Sequence, residues 1–178
     1  MDSRDAARLI GPAVETGGTW ADLGAGRGTF TVALARLVGP RGSVYAIERD
    51  PSAVRSLEGL ARRSDEAASP IMVVHADFTD SLELPSLDGA LAANALHFVP
   101  DVEQARTLGR VASTLTDRGA VVIVEYDNRA RSRWVPYPIS RARLTELARE
   151  AGLGKPEVIG EQRSAFGGTM YAARMHRR

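Results

Sequence analysis

The densest chemistry-bearing pattern in the chain is Asp22-Leu23-Gly24-Ala25-Gly26-Arg27-Gly28-Thr29-Phe30. Alternate glycines allow unusual backbone angles and close approach of a ligand to the main chain. A helix starting there would present free N–H groups at its first turn. The spacing is Gly-x-Gly-x-Gly, and Thr29 stands where a dinucleotide turn carries its last glycine. Asp22 precedes the first glycine by two residues. A carboxylate there holds the turn or meets a cationic ammonium, and it repels a pyrophosphate. Three further groups follow in order. Glu48 can accept both hydroxyls of a ribose. Asp77 can accept from an exocyclic amine or cap the turn at Phe78–Thr79, and Phe78 offers a ring face to a base or packs in the core. Asn94-Ala95-Leu96-His97-Phe98 brings an amide and an imidazole to one short segment.

Stepping along the chain shows what must position these groups. Ala6, Leu9, Ile10, Ala13 and Val14 keep helical spacing, with Pro12 breaking or restarting the helix. Thr19–Leu23 reads as a strand ending in the glycines. Phe30–Val38 reads as a helix stopped by Gly39-Pro40-Arg41-Gly42. Ser43–Glu48 is a second buried strand. Asp50-Pro51 caps and starts a helix whose face is Val54, Leu57, Leu60 and Ala61. Strands are expected at 71–75 and 87–93. Asp101 is expected to cap a helix with Val102, Ala105, Leu108, Ala112 and Leu115 inward, ended by Arg118-Gly119. Ala120–Val124 is continuously apolar, as a parallel strand covered on both faces requires. Leu144, Leu147, Ala148 and Ala151 mark the last helix. Two strands near 157–162 and 170–175 flank Gly167-Gly168, a hairpin turn. The pattern predicts a single-domain α/β fold with a mostly parallel seven-stranded sheet. Helices cover both faces, and a C-terminal antiparallel hairpin closes the sheet. Within 1–178 we expect an N-terminal helical segment (1–18), a core (19–126), and a substrate-side loop, last helix and hairpin (127–178).

Composition narrows the chemistry. The chain has 178 residues, a net charge of +1, three histidines and no cysteine. Its length suits one domain that buries ~70% of its unfolded surface. Thiolate zinc, Fe–S and cysteine-nucleophile chemistry are excluded, and no metal is expected. The near-neutral charge counts against a nucleic-acid partner. Lys155 is the only lysine beside many arginines, which is codon bias or a preference for the planar guanidinium fork. No run suits a membrane span, and Met1–Asp5 is acidic without a long apolar core, so we expect a cytoplasmic protein with no membrane partner.

Asp22–Gly28, Glu48, Asp77 and Asn94–Phe98, in that order and spacing, resemble the class I S-adenosylmethionine-dependent methyltransferases. The resemblance covers roughly Trp20 to Val124. It implies S-adenosylmethionine as cofactor and S-adenosylhomocysteine as product. It implies cofactor contacts from Asp22, Gly24, Ala25, Gly26, Gly28, Glu48, Arg49, Asp77, Phe78 and Asn94. It also implies a Rossmann-like sheet of order 3-2-1-4-5-7-6 with the seventh strand antiparallel.

Methyl transfer from a sulfonium needs alignment and exclusion of water, with no obligate nucleophile or metal. A general base helps when the acceptor is a hydroxyl or a protonated amine. His97 is the candidate base, since imidazole titrates near pH ~6.5; its bland alternative is packing at the core edge. Tyr126 is the candidate wall of an acceptor pocket, and Glu125 or Asp127 could orient an amine. His75, inside a strand, reads as structural. The segment 128–140, with Arg129, Arg131, Arg133, Trp134 and Tyr137, is an acceptor-side wall or a solvated loop. Only 18 residues precede the first strand. We therefore expect an acceptor pocket that is open, completed by the second subunit of a homodimer, or shaped by that loop. A small-molecule acceptor is expected, with RNA or protein left open. The alternatives are a nicotinamide-dependent oxidoreductase and a noncatalytic S-adenosylmethionine-binding protein. The glycine spacing, Asp22 and the missing Tyr-x-x-x-Lys pair count against the first.

Overall fold

The structure is a computed structural model that describes residues 1–63, 66–164 and 167–178. Helix α1 (Ser3–Ile10) is capped by the Asp2 carboxylate, which accepts from the N–H groups of Arg4 and Asp5. A 3-10 turn at Gly11–Ala13 follows, with Pro12 in its first positions, so the proline restarts the helix as a tighter turn. Then come β1 (Thr19–Leu23), α2 (Thr29–Val38), β2 (Ser43–Glu48), α3 (Pro51–Ala61), β3 (Ile71–His75) and β4 (Leu87–Ala93). A 3-10 turn (Leu96–Phe98) leads to α4 (Asp101–Ser113), β5 (Leu115–Asp127), α5 (Arg141–Glu150), β6 (Glu157–Arg163) and β7 (Thr169–His176).

The seven strands form one sheet in the order β3-β2-β1-β4-β5-β7-β6. The first five are parallel to their neighbours, and β7 runs antiparallel to both β5 and β6. This is the order and polarity the resemblance implied. All five parallel strands therefore end at one edge, and the loops beyond their carboxyl ends face a common crevice.

Both sheet faces are covered, which explains the unbroken apolar run in β5. Val122 and Val124 pack with α1 and α2 on one side. Val121 and Ile123 pack with α4 and α5 on the other. Leu57 of α3 adds a smaller cluster with Ala25 and Ala46.

The region around α4 departs from expectation. The helix ends at Ser113, and Leu115 belongs to β5, where it pairs with Leu87. The register then shifts before Ala120 pairs with Gly89, so Arg118-Gly119 sits in the strand's irregular start. A continuous apolar periodicity had merged a helix end with a strand start. Val102 is 89% exposed instead of facing inward, and Gln104 and Thr107 are buried in its place. Asp101 is the first helical residue; Pro100 stands at the N-cap without a side-chain cap. β3 is an edge strand, and His75 at its end is exposed, with Nε2 at 3.1 Å from the Arg49 carbonyl. No helix among the described residues is long and apolar enough to cross a membrane.

Candidate active site

The glycine turn is built by three different requirements. Gly24 has φ +71°, and a Cβ there would lie 2.8 Å from the Ala95 Cβ, so the turn must pass close to the loop after β4. Gly28 has φ +90°, and its Cβ would lie 2.5 Å from Leu60 and 3.0 Å from Leu57, so it lets α3 pack against the start of α2. Gly26 has φ +55° and nothing within 4 Å of a Cβ. Its glycine answers to the left-handed backbone and leaves open space before the turn.

Asp22 lies beneath this turn and is 1% exposed. Its Oδ2 accepts from the Thr31 hydroxyl at 2.6 Å. Burial pushes its carboxyl up to about 6, against the Thr31 hydrogen bond, and the nearby Glu48 charge adds to the rise. Asp22 and Gly28 do not line the cleft beyond the turn, so the structure places both behind it.

That cleft measures about 580 Å3 and lies along the carboxyl ends of β1, β2, β3 and β4. Of the expected cofactor residues, Gly24, Ala25, Gly26, Glu48, Arg49, Asp77, Phe78 and Asn94 line it together. Glu48 is more committed than expected. Its Oε1 accepts from the N–H groups of Arg49 and Asp50, both at 2.8 Å, and its Oε2 from Gly26 N–H at 2.7 Å. A carboxylate offers about four lone-pair positions, so one remains, on Oε2. Asp77 is similar: Oδ1 accepts from the Thr79 N–H and hydroxyl, and Oδ2 from Arg49 Nη1 at 2.8 Å. Burial opposes ionisation of Asp77, but Thr79 and Arg49 outweigh it and hold the carboxyl below its ordinary range. Asp77 thus caps its turn and still presents one free acceptor position on Oδ2.

Asn94 sits where β4 ends, in the left-handed region at φ +53°. Its N–H donates to Val124 O at 2.8 Å, while its side-chain Oδ1 is buried with no hydrogen-bond partner. Asn94 and Phe98 line both the cleft and a second cavity of about 480 Å3. The other walls of that cavity are His97, Tyr126, Arg129, Trp134 and Val135.

His97 is 2% exposed, and its Nδ1 lies 2.7 Å from Glu125 Oε2. The Glu125 Oε1 also accepts from the His97 N–H at 3.1 Å. A carboxylate on Nδ1 fixes the proton there and leaves Nε2 as the basic nitrogen. Glu125, expected with Asp127 as a candidate to orient an amine, lies beneath His97 instead. The signal was present: Glu125 continues the face of Val121 and Ile123, so an acid had to be buried there with a partner. Burial raises the Tyr126 phenol above its ordinary pKa, with the Glu125 charge adding and Arg129 opposing. Tyr126 is therefore a neutral hydroxyl near pH 7.

The 128–140 segment is stitched down. Tyr137 N–H donates to His97 O at 3.0 Å, and Gln104 Nε2 to Val99 O and Tyr137 O at 3.2 and 3.3 Å. The Tyr171 hydroxyl donates to Ile139 O at 2.9 Å, and Val135 and Ile139 are buried.

A free acceptor position on each of two carboxylates, an open glycine turn and an orphaned buried amide oxygen make the cleft fit a nucleoside carrying a charged amino-acid arm. The comparisons agree. Residues 21–119, more than half of the chain, match a family model described as a methyltransferase domain. The ribosomal RNA small subunit methyltransferase H of Acidobacterium capsulatum is 28% identical, over 97% of this chain and 68% of its own length. The structure of the mitomycin 7-O-methyltransferase superposes with a TM-score of 0.75 at 18% identity, over 99% of this chain. This chain spans 54% of that structure's length. The magnesium protoporphyrin IX methyltransferase of Synechocystis, solved with bound S-adenosylmethionine, gives a TM-score of 0.75 at 16% identity, over 98% of this chain and 77% of that one. The chain belongs to the methyltransferase-domain family, among the class I S-adenosylmethionine-dependent methyltransferases.

Proposed function

We propose that this protein methylates a small, planar acceptor that must lose a proton, a hydroxyl or a protonated amine. The observation that carries the reading is the junction at Asn94 and Phe98, where the cofactor cleft meets a cavity walled by His97. S-adenosylmethionine, when bound, supplies an activated methyl on its sulfonium. Glu48 Oε2 would hold a ribose hydroxyl, and Asp77 Oδ2 the adenine amine. The orphaned Asn94 Oδ1 would take a donor from the amino-acid arm. His97 Nε2 removes the acceptor's proton, and Glu125 stabilises the resulting imidazolium through Nδ1. Phe98, Trp134 and Val135 give the site apolar walls.

Calorimetric titration with S-adenosylhomocysteine and with NADH tests the cofactor. Tight binding of S-adenosylhomocysteine is expected; tight NADH binding with none of the homocysteine compound would overturn the reading. A screen of small phenols and amines that follows S-adenosylhomocysteine release then tests the acceptor. The relative named as a ribosomal RNA methyltransferase supports a second reading, in which the acceptor is RNA. Release driven by RNA and by none of the small acceptors would favour that reading.

A further inference from the structure

We propose that the acceptor carries an anionic group, a carboxylate or its equivalent, and that Arg129 selects it. The proposal rests on the reading of the His97-lined cavity as the acceptor site. Of the residues lining that cavity, Arg129 alone carries a permanent charge. Its guanidinium lies 4.7 Å from the Tyr126 ring centroid. Its Nη1 is shut off from solvent and has no hydrogen-bond partner among the described residues.

Neighbouring arginines also stack on rings but differ in exposure or pairing: Arg133, 4.6 Å from the Trp134 centroid, is exposed. Arg131 hydrogen-bonds to Pro136 O and lies 3.8 Å from the Asp101 carboxylate. Arg141 is ion-paired with both Asp127 and Glu161 at 3.0 Å. The nearby acids are spoken for: Glu125 lies behind His97, and Asp127 holds Arg141. Stacking on Tyr126 fixes the plane of the Arg129 guanidinium without using its in-plane N–H donors. Arg129 lines the cavity with no carboxylate paired to it among the described residues, so an anion arriving there gains a charge-assisted pair with a half-buried cation. The ring faces of Phe98 and Trp134, which are 47% and 66% exposed, flank the cavity and suit a flat, apolar body attached to that anion.

Two anions could meet Arg129: one on the acceptor, or the carboxylate of the cofactor's amino-acid arm. Arg129 lines the acceptor cavity and not the cofactor cleft, which favours the first. The test uses the whole protein saturated with S-adenosylhomocysteine, titrated with 2-naphthoate and with its neutral analogue 2-naphthamide. Naphthoate should bind about tenfold or more tightly than the amide. R129M should bring naphthoate to the amide's level, R129K should keep part of the preference, and both should bind S-adenosylhomocysteine within about twofold of wild type. Equal affinity for the two probes, no naphthoate binding at millimolar concentration, or a preference that survives R129M overturns the proposal. Loss of S-adenosylhomocysteine binding in R129M also overturns it, by assigning the guanidinium to the cofactor. Failure of the wild type to bind S-adenosylhomocysteine sinks the methyltransferase reading instead, and this proposal with it.

Discussion

The two halves of the sheet's carboxyl edge are built on different principles. On the side of β1, β2 and β3, the carboxylates are held mostly by main-chain N–H groups: Glu48 by Gly26, Arg49 and Asp50, and Asp77 by Thr79, with the Arg49 guanidinium added on Asp77. On the side of β4 and β5, the key groups are side chains: His97 rests on Glu125, and Gln104 reaches Tyr137 O. The first half makes a cradle largely of main-chain groups. The second makes a pocket from side chains, and side chains are what a change of acceptor alters.

The largest effect should separate the halves outright. H97N removes the candidate base but keeps a polar group near Glu125. With any acceptor that the release screen returns, kcat should fall by about 10²–10⁴-fold, while calorimetric affinity for S-adenosylhomocysteine stays unchanged. E125Q should lower kcat as well, with KM little moved, because it leaves His97 in place and removes the charge behind it. Equal loss of cofactor affinity in H97N would mean that the two halves are one site.

The same contrast explains what could be read from the chain. The cradle was legible because its residues sit in runs: Asp22 to Gly28 in one turn, Glu48 at a strand end, Asp77 beside Phe78. The cap that Asp77 makes on Thr79 was legible too, but Glu48 does not advertise which backbone N–H groups will turn towards it. The α/β class followed from alternating strands and helices, and the sheet order from the resemblance. The α4 boundary did not, because Leu108, Ala112 and Leu115 share a helical spacing although Leu115 pairs with Leu87 in the sheet. The dyad was half legible: His97 stood out, while Glu125 at the end of an apolar strand needed the question of what a buried acid pairs with.

A second test concerns a charge that the cradle hides instead of presenting. Burial raises the Asp22 carboxyl from 3.8 to about 6. The folded chain therefore keeps a proton there that the unfolded chain releases above its own, lower pKa. The stability this provides is full below pH 3.8 and is lost as pH rises to about 6. About two pKa units at ~1.36 kcal/mol each bound the loss near 3 kcal/mol. D22N keeps an acceptor for the Thr31 hydroxyl and carries no charge. Urea unfolding followed from about pH 4 to about pH 8 should show D22N gaining on wild type as pH rises, then holding level above pH ~6. A constant difference across that range would show that the Asp22 charge is compensated.

Removing Glu48 should weaken the cradle without touching the acceptor side. E48A loses the charged acceptor left for a ribose hydroxyl, and S-adenosylhomocysteine affinity should drop by ~1–3 kcal/mol. The Gly26, Arg49 and Asp50 N–H groups then turn to water at the cleft, so part of the loss comes from a looser turn. E48Q distinguishes the two contributions, because its amide oxygen still accepts from the turn. An affinity for E48Q near wild type would reduce Glu48 to a cap, and the cradle would then act through its backbone alone.

The smallest effect lies at the cleft's rim. Arg49 and Asp77 are ion-paired at 2.8 Å, with the Arg49 side chain 66% exposed. Exposed pairs contribute ~0.2–1 kcal/mol, so R49M should leave urea stability nearly unchanged. Its effect on the cofactor has two opposing parts: a free Asp77 Oδ2 becomes a better acceptor for an amine, while the aliphatic replacement still covers the cleft's mouth. We expect S-adenosylhomocysteine affinity to move less than about fivefold, under ~1 kcal/mol. A larger loss would mean that the guanidinium itself grips the cofactor. The cradle would then depend on a side chain just as the acceptor pocket does, and the contrast between the two halves would fail on its own ground.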